Sequence, residues 1–181
     1  MGSINLVLYE PEIPQNTGNI MRTCVATNTV LHLIEPLGFS LDEKSIKRSG
    51  ANYVKHLDYK TYKNWDEFLE KNIKNNKKAR IYFLTRYGEK DIFDVHAEDT
   101  ELDYFLVLGK ESTGIPVEIL KDNLETCIRL PMSDKVRALN VSNVAAIMVY
   151  EVLRQQNFPG LCRYEPSNEK EGFKGKDFLE K

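Results

Sequence analysis

The sequence has no run of apolar residues approaching the ~20 that a bilayer-crossing helix requires, so no membrane span is expected. It opens directly on an apolar stretch, INLVLY, without a basic leader, and gives no sign of a secretory signal. It has no GxGxxG and no GxxxxGK(S/T), which removes the two usual cradles for dinucleotides and nucleoside triphosphates. Cysteine is scarce: Cys24, Cys127 and Cys162 are odd in number and far apart. Two lie in apolar stretches and read as small core residues, and a reducing cytoplasm is the expected compartment. The histidines, His32, His56 and His96, have no ligand spacing, so no metal is expected. No Ser-His-Asp or Cys-His constellation stands out. A formal net charge of −2 announces no polyanion partner globally, so charge must be judged locally.

What is present is an ordinary globular composition, 41% hydrophobic and 29% charged over 181 residues, enough for one domain with a real core. Apolar runs alternate with amphipathic ones, the pattern of βαβ units, and the fold class expected is α/β: a single domain with a mainly parallel sheet flanked by helices. Strands are expected at 4–9, 30–35, 80–85, 104–109 and 125–130, with a weak edge strand at 53–59 that Lys55 and Asp58 interrupt. Helices are expected at 16–28, 42–49, 64–76, 116–123 and 141–156. The last helix is apolar over more than one face, so it should be buried against two surfaces, the sheet and a second chain. Pro159 and Gly160 stop it. Residues 1–160 form the domain, and 161–181, mixed in charge with Phe173, Phe178 and Leu179 as its anchors, read as a tail.

Three segments carry unusual polar residues. EPEIPQNTGNIMR (10–22) is stiffened by Pro11 and Pro14, and Asn16 or Thr17 is positioned to cap the helix that follows. That accounts for much of the segment, but not for Asn19 and Arg22, which lie three apart and share a helical face with Thr23. An arginine there can grip a phosphate bidentately. GKESTG (109–114) follows a buried strand, with Gly109 and Gly114 expected to supply positive φ, and Glu111 facing the crevice where open α/β sheets bind ligands. LPMSDKVRALNVSN (130–143) follows another strand. Pro131 ends the strand, Asn140 or Ser142 caps the last helix, and Lys135 reads as a solvated charge.

These three segments, in this order and spacing, resemble motifs 1, 2 and 3 of the SPOUT superfamily of RNA methyltransferases. They are most similar to its minimal branch, which methylates the 2′-hydroxyl of cytidine or uridine 34 in tRNA. The resemblance spans about residues 4–160 and implies several things that spacing did not show. It implies a deep trefoil knot in the C-terminal half, and S-adenosyl-L-methionine held mainly by backbone groups at Leu84, Thr85, Gly109, Leu130, Met132 and Ala138. It implies a homodimer through the first and last helices. It assigns Arg22, Glu111, Ser142 and Asn143 to catalysis, and Asn16, Asn19, Lys47, Arg48, Arg137 and Asn140 to RNA. Lys44, Lys55 and Lys135 add local basic charge for a phosphate backbone. The alternatives are another RNA target such as rRNA, and a knotted RNA-binding dimer without catalysis. Larger rRNA relatives carry an added RNA-binding domain for which this chain has no room, and the intact polar set speaks against the inactive dimer.

Overall fold

The computed structural model describes residues 1–41, 54–168 and 172–176. The helix expected at 42–49, with Lys44, Lys47 and Arg48, lies outside the described residues, as do Phe178 and Leu179. In chain order the elements are β1 (Ile4–Tyr9), α1 (Pro14–Thr27), β2 (Val30–Ile34), β3 (Tyr59–Tyr62), α2 (Trp65–Asn72), β4 (Ala79–Leu84), β5 (Lys90–Asp91), β6 (Asp103–Leu108), α3 (Val117–Lys121), β7 (Cys127–Arg129), α4 (Val141–Gln155), β8 (Ser167–Asn168) and β9 (Phe173–Lys174). Strands β1–β7 form one sheet in the order β3-β2-β1-β6-β4-β7-β5, and every pairing in it is parallel. β8 and β9 pair antiparallel as a separate hairpin in the tail.

The period-2 alternation of the central strands feeds two cores. Leu6, Leu8, Leu31, Leu33, Tyr104, Leu106 and Leu108 point to the face covered by α1 and α4, where Ile20, Met21, Cys24, Val144, Ala145 and Met148 meet them. Val7, Ile34, Phe105 and Val107 point to the opposite face, against Tyr62, Phe68, Ile115 and Leu120. Each fully buried Leu, Ile or Phe contributes about 1.5–3 kcal/mol by leaving water. Cys24 and Cys127 are buried core thiols, as their apolar settings suggest, and burial pushes the Cys24 thiol up to about 12.

Several boundaries differ from the sequence reading. In place of a strand over 53–59, Val54–His56 is a short 3-10 turn, and the edge strand is Tyr59–Tyr62, which pairs with β2 from Leu31 to Ile34. Lys55 and His56 are exposed, whereas YKTY sends Tyr62 into the core, so the pleat is anchored later than expected. α2 is shorter than 64–76: Asn64 caps it by accepting from the Glu67 N–H at 2.9 Å, and the Lys/Asn-rich stretch is a turn beyond its end. β5 has only two residues, too few for any periodicity to register. The second surface under α4 is in large part α1, which packs along it. Ile147 and Tyr150 remain exposed at 37% and 47%.

Candidate active site

β6, β4 and β7 are consecutive neighbours in the sheet, so the residues that follow them leave its C-terminal edge together. This gathers Gly109, the Leu84–Thr85 pair and Leu130. Thr85 donates its N–H to the Ile128 carbonyl at 2.9 Å, tying the end of β4 to β7. Leu130 is buried, Met132 is half-buried and Ala138 is exposed in the 131–140 loop. Gly114 has φ 76°, as expected, but Gly109 does not take positive φ. Its glycine is needed for close approach instead: a Cβ there would lie 2.2 Å from the Gly114 carbonyl carbon, because the turn folds back on itself.

The loop after β6 is joined to the segment before α1 by three successive contacts. Lys110 Nζ pairs with Glu10 at 2.7 Å. Glu111 accepts the Glu12 N–H at 2.9 Å, the Ile13 N–H at 3.3 Å and the Asn16 side-chain amide at 2.9 Å. Ser112 donates its N–H and its hydroxyl to Glu12, each at 2.8 Å. The contact with Glu10 raises the Lys110 pKa. Burial pushes the Glu10 carboxyl upward, but hydrogen bonds from Lys110 and Tyr9 outweigh it and hold that carboxyl below its usual range.

The same network continues into the third segment. Asn140 donates its amide to the Asn16 carbonyl oxygen at 2.9 Å, and Asn140 Oδ1 accepts from the Ser142 N–H at 2.9 Å and the Ser142 hydroxyl at 2.6 Å. Asn140 is thus the cap of α4. The cap of α1 is not what the sequence suggests: neither Asn16 nor Thr17 fills it. Both are buried in the first helical turn, Ile13 occupies the cap position with no side-chain bond, and Glu111 serves from across the site. Glu111, Asn16, Asn140 and Ser142, with Asn16 and Asn140 lying 124 residues apart, form one hydrogen-bonded line.

Asn19 and Arg22 are exposed on the same stripe of α1 as Gln15. Asn143 and Arg137 are exposed, as is Asn140, while Asn16 and Ser142 are buried, so groups able to meet a large polar partner stand beside a partly buried line. Asn16, read from the sequence as an RNA contact, has its amide engaged on both sides within the site. Glu10, Glu12, Lys110 and Ser112 were not singled out from sequence; their partners lie 100 residues away, beyond any local pattern. Among the described residues no three His, Cys, Asp or Glu groups gather as a metal set, and no helix is long and apolar enough to cross a membrane.

A model of the SpoU rRNA Methylase family matches residues 3–150. A Listeria monocytogenes (serotype 4b, strain F2365) protein, provisionally named tRNA (cytidine(34)-2'-O)-methyltransferase, is 48% identical over 169 residues, covering 93% of this chain and 97% of its own. A crystal structure of a Bacillus anthracis protein, provisionally named an RNA methyltransferase, superposes with a TM-score of 0.83 at 50% identity over 88% of this chain and 98% of that one. A structure described as giving insights into the 2-OH methylation of C/U34 on tRNA superposes with a TM-score of 0.77 at 35% identity, over 86% and 97%.

Proposed function

This chain belongs to the SpoU rRNA Methylase family, and we propose that it transfers a methyl group from S-adenosyl-L-methionine to the ribose 2′-hydroxyl of nucleotide 34 in tRNA, with leucine tRNAs as the substrates. The observation that carries this reading is the hydrogen-bonded line from Glu111 through Asn16 to Asn140 and Ser142, which unites three distant motifs beside the strand ends. The choice of nucleotide 34 is supported by relatives of that name or description, which are matched over nearly their whole length.

The cofactor supplies a methyl group already activated on a sulfonium. Leu84, Thr85, Gly109, Leu130, Met132 and Ala138 are the residues that would hold it. The fit rests on the strand ends they share and on the side-chain-free turn at Gly109, which leaves backbone groups to do the binding. The acceptor hydroxyl is a weak acid, so its developing negative charge needs stabilisation as it is aligned for attack. Arg22 fills that role. A guanidinium keeps its proton at any physiological pH, which makes it an electrostatic stabiliser and phosphate grip rather than a base. Ser142, Asn143 and Glu111 complete the polar set. Asn19 and Arg137 face the RNA, joined by Asn140, with Lys47 and Arg48 as further contacts outside the described residues.

The chain also forms a trefoil knot in this reading. β5 follows β4 in sequence, yet β7 lies between them, so the later strand occupies a place that the 85–89 connection already spans. A Cβ at Gly88 would lie 2.5 Å from the Ile128 carbonyl carbon, which supports close passage of that connection over β7. The protein works in the cytoplasm as a homodimer, with the exposed Ile147 and Tyr150 of α4 in the seam. Light scattering at micromolar concentration gives a dimer if so, and a monomer refutes it. The activity is tested by incubating protein, S-adenosyl-L-methionine and tRNA, then mapping methylation by mass spectrometry of nuclease digests. The expected product carries 2′-O-methyl at position 34. Methyl transfer only to rRNA, or to another tRNA position, excludes the assignment.

A further inference from the structure

We propose that Glu111 acts by position rather than by contact: it caps α1 and, through Asn16 and Asn140, sets the helix that carries Arg22 against the loop after Gly109. The proposal rests on the methyl-transfer reading above and gives one of its polar residues a different task.

A carboxylate offers about four acceptor positions. In Glu111 three are occupied, two by the residues that lead into α1 and one by its first turn: Oε2 accepts from the Glu12 N–H, and Oε1 from the Ile13 N–H and the Asn16 amide. The helix cannot supply this service itself. Its cap residue is Ile13, with no side-chain oxygen, and Pro14 follows. A negative charge is also favoured at a helix N-terminus, where the backbone dipoles converge. The loop bearing Glu111 cannot easily slide away, because Lys110 and Ser112 on either side are held by Glu10 and Glu12.

The line beyond Glu111 has a direction. Asn140 gives its N–H to Asn16, and Asn16 gives its N–H to Glu111. Each amide is oriented by the next, and the orientation originates at a group that can only accept. α1 runs from this anchor through Asn19 to Arg22, so an error at its first turn is carried to the guanidinium. α4 starts from the other end of the line, with Asn140 as its cap and Ser142 in its first turn.

The directionality supplies the test. In E111Q the new amide must turn its N–H groups toward the Glu12 N–H or the Asn16 amide, donor against donor. In N16D two carboxylates face each other. In the double variant E111Q/N16D the amide introduced at position 111 donates to the carboxylate introduced at position 16. The carbonyl oxygen of that amide accepts from the Glu12 N–H, and Asn140 still donates to the carboxylate. The bond between positions 111 and 16 is reversed and the line to Asn140 restored, at the cost of the longer bond from the Ile13 N–H, which loses its acceptor.

Each single variant is expected to lower kcat roughly 10- to 100-fold, with S-adenosyl-L-methionine affinity unchanged. The double variant should recover most of the loss, and E111Q should keep the shape of the wild-type pH–rate profile. Amide exchange at Glu12 or Ile13 should quicken in E111Q, and in the double variant the Glu12 amide should be protected as in wild type while the Ile13 amide is not. A double variant no faster than the slower single, or an E111Q profile lacking an ionisation seen in wild type, overturns the proposal and places the carboxylate on the reacting atoms. If the wild-type protein transfers no methyl to tRNA, the functional reading fails. The exchange measurement still decides whether Glu111 holds the helix.

Discussion

Two polar networks cross this molecule, one at each end of the sheet, and they differ in how they finish. At the N-terminal ends of the strands, Asn5 donates to the Ser3 hydroxyl at 2.9 Å and to the Ser3 and Tyr104 carbonyls at 3.3 Å. Its Oδ1 is thereby fixed as an acceptor facing His32 Nε2 at 3.0 Å, which assigns the imidazole proton to that nitrogen. His32 Nδ1 is hydrogen-bonded to the Tyr62 hydroxyl at 2.8 Å, and that hydroxyl also lies 3.3 Å from Asn72 Oδ1. Asp103 accepts from Ser3 and Asn76, each at 2.9 Å. Ser3, Asn5, His32, Asn76 and Asp103 line a polar hollow of about 330 Å³, with the exposed Lys60, Lys71 and Asn75 at its side. At the C-terminal ends the line from Glu111 to Ser142 is built from the same chemistry, yet around it lie exposed groups, Asn19, Arg22, Arg137 and Asn143. A network whose members answer one another holds a fold together. One that ties three segments far apart in sequence at the C-terminal strand ends, where open parallel sheets bind their ligands, holds a site for something else.

The sharpest way to break this comparison is Arg22→Ala. Methyl transfer should fall by roughly 10²–10³-fold or more, as when a charge-stabilising donor is removed from a transition state. Cofactor affinity should hardly change, because Arg22 belongs to α1 and not to the loops that follow β4, β6 and β7. Arg22→Lys should rescue poorly, since an ammonium lacks the planar fork. Single-turnover kinetics beside a cofactor titration measures both quantities, and near-wild-type turnover in the alanine variant means that Arg22 has another role.

The next effect belongs to the opposite end and is thermodynamic. Burial, assisted by the charge of Lys60, lowers the His32 pKa from 6.5 to about 4. The unfolded chain therefore binds this proton more readily than the folded one. Stability is complete above about pH 6.5 and is lost as pH falls toward 4, by about 3 kcal/mol at ~1.4 kcal/mol per unit. The carboxylates held below their usual range, Glu10 and Asp103, add their losses at lower pH, as they fall through their own depressed values. Urea unfolding between pH 7 and 4.5 should show the decline in wild type and a much flatter response in His32→Gln. Equal slopes in the two proteins would remove His32 from the account.

The smallest effects make the finest comparison, with the same residue type at either end. Asn5→Ala leaves a buried imidazole N–H without its acceptor and should cost about 1–3 kcal/mol of stability with turnover preserved at 25 °C. Asn140→Ala removes a helix cap worth about 1 kcal/mol, yet it also cuts the line to Asn16, so turnover should fall more than stability does. If the two variants cost stability and turnover in the same proportion, the distinction between the networks is not real.

The sequence disclosed these ends unequally. Periodicity located most of the large-sheet strands, because buried parallel strands are apolar on both faces and stand out as runs such as INLVLY and DYFLVL. It also found α4 and narrowed its cap to Asn140 or Ser142, since Asn140 acts within two residues of itself. It misplaced the β3 edge, where Tyr62 is the only buried residue in YKTY, and could not see β5, whose two residues are held by pairing alone. In the site, motif resemblance supplied Arg22, Glu111 and the strand-end residues. The partners of Glu111 were illegible, because a carboxylate can cap a helix 98 residues earlier in the chain without leaving any local trace. His32 looked uninformative for the same reason: Asn5 and Tyr62 are its neighbours only across strands.

The place of β7 between β4 and β5 also orders events in time. During synthesis β5 leaves the ribosome before β7, which is its neighbour in the sheet. Once the chain has emerged as far as residue 126 it can pair β3, β2, β1, β6 and β4, but β5 has no strand to lie against. The rim of the sheet therefore closes from the inside outward, and only after Arg129 has left the ribosome. A polypeptide truncated before that point would carry both halves of the gap and nothing to fill it.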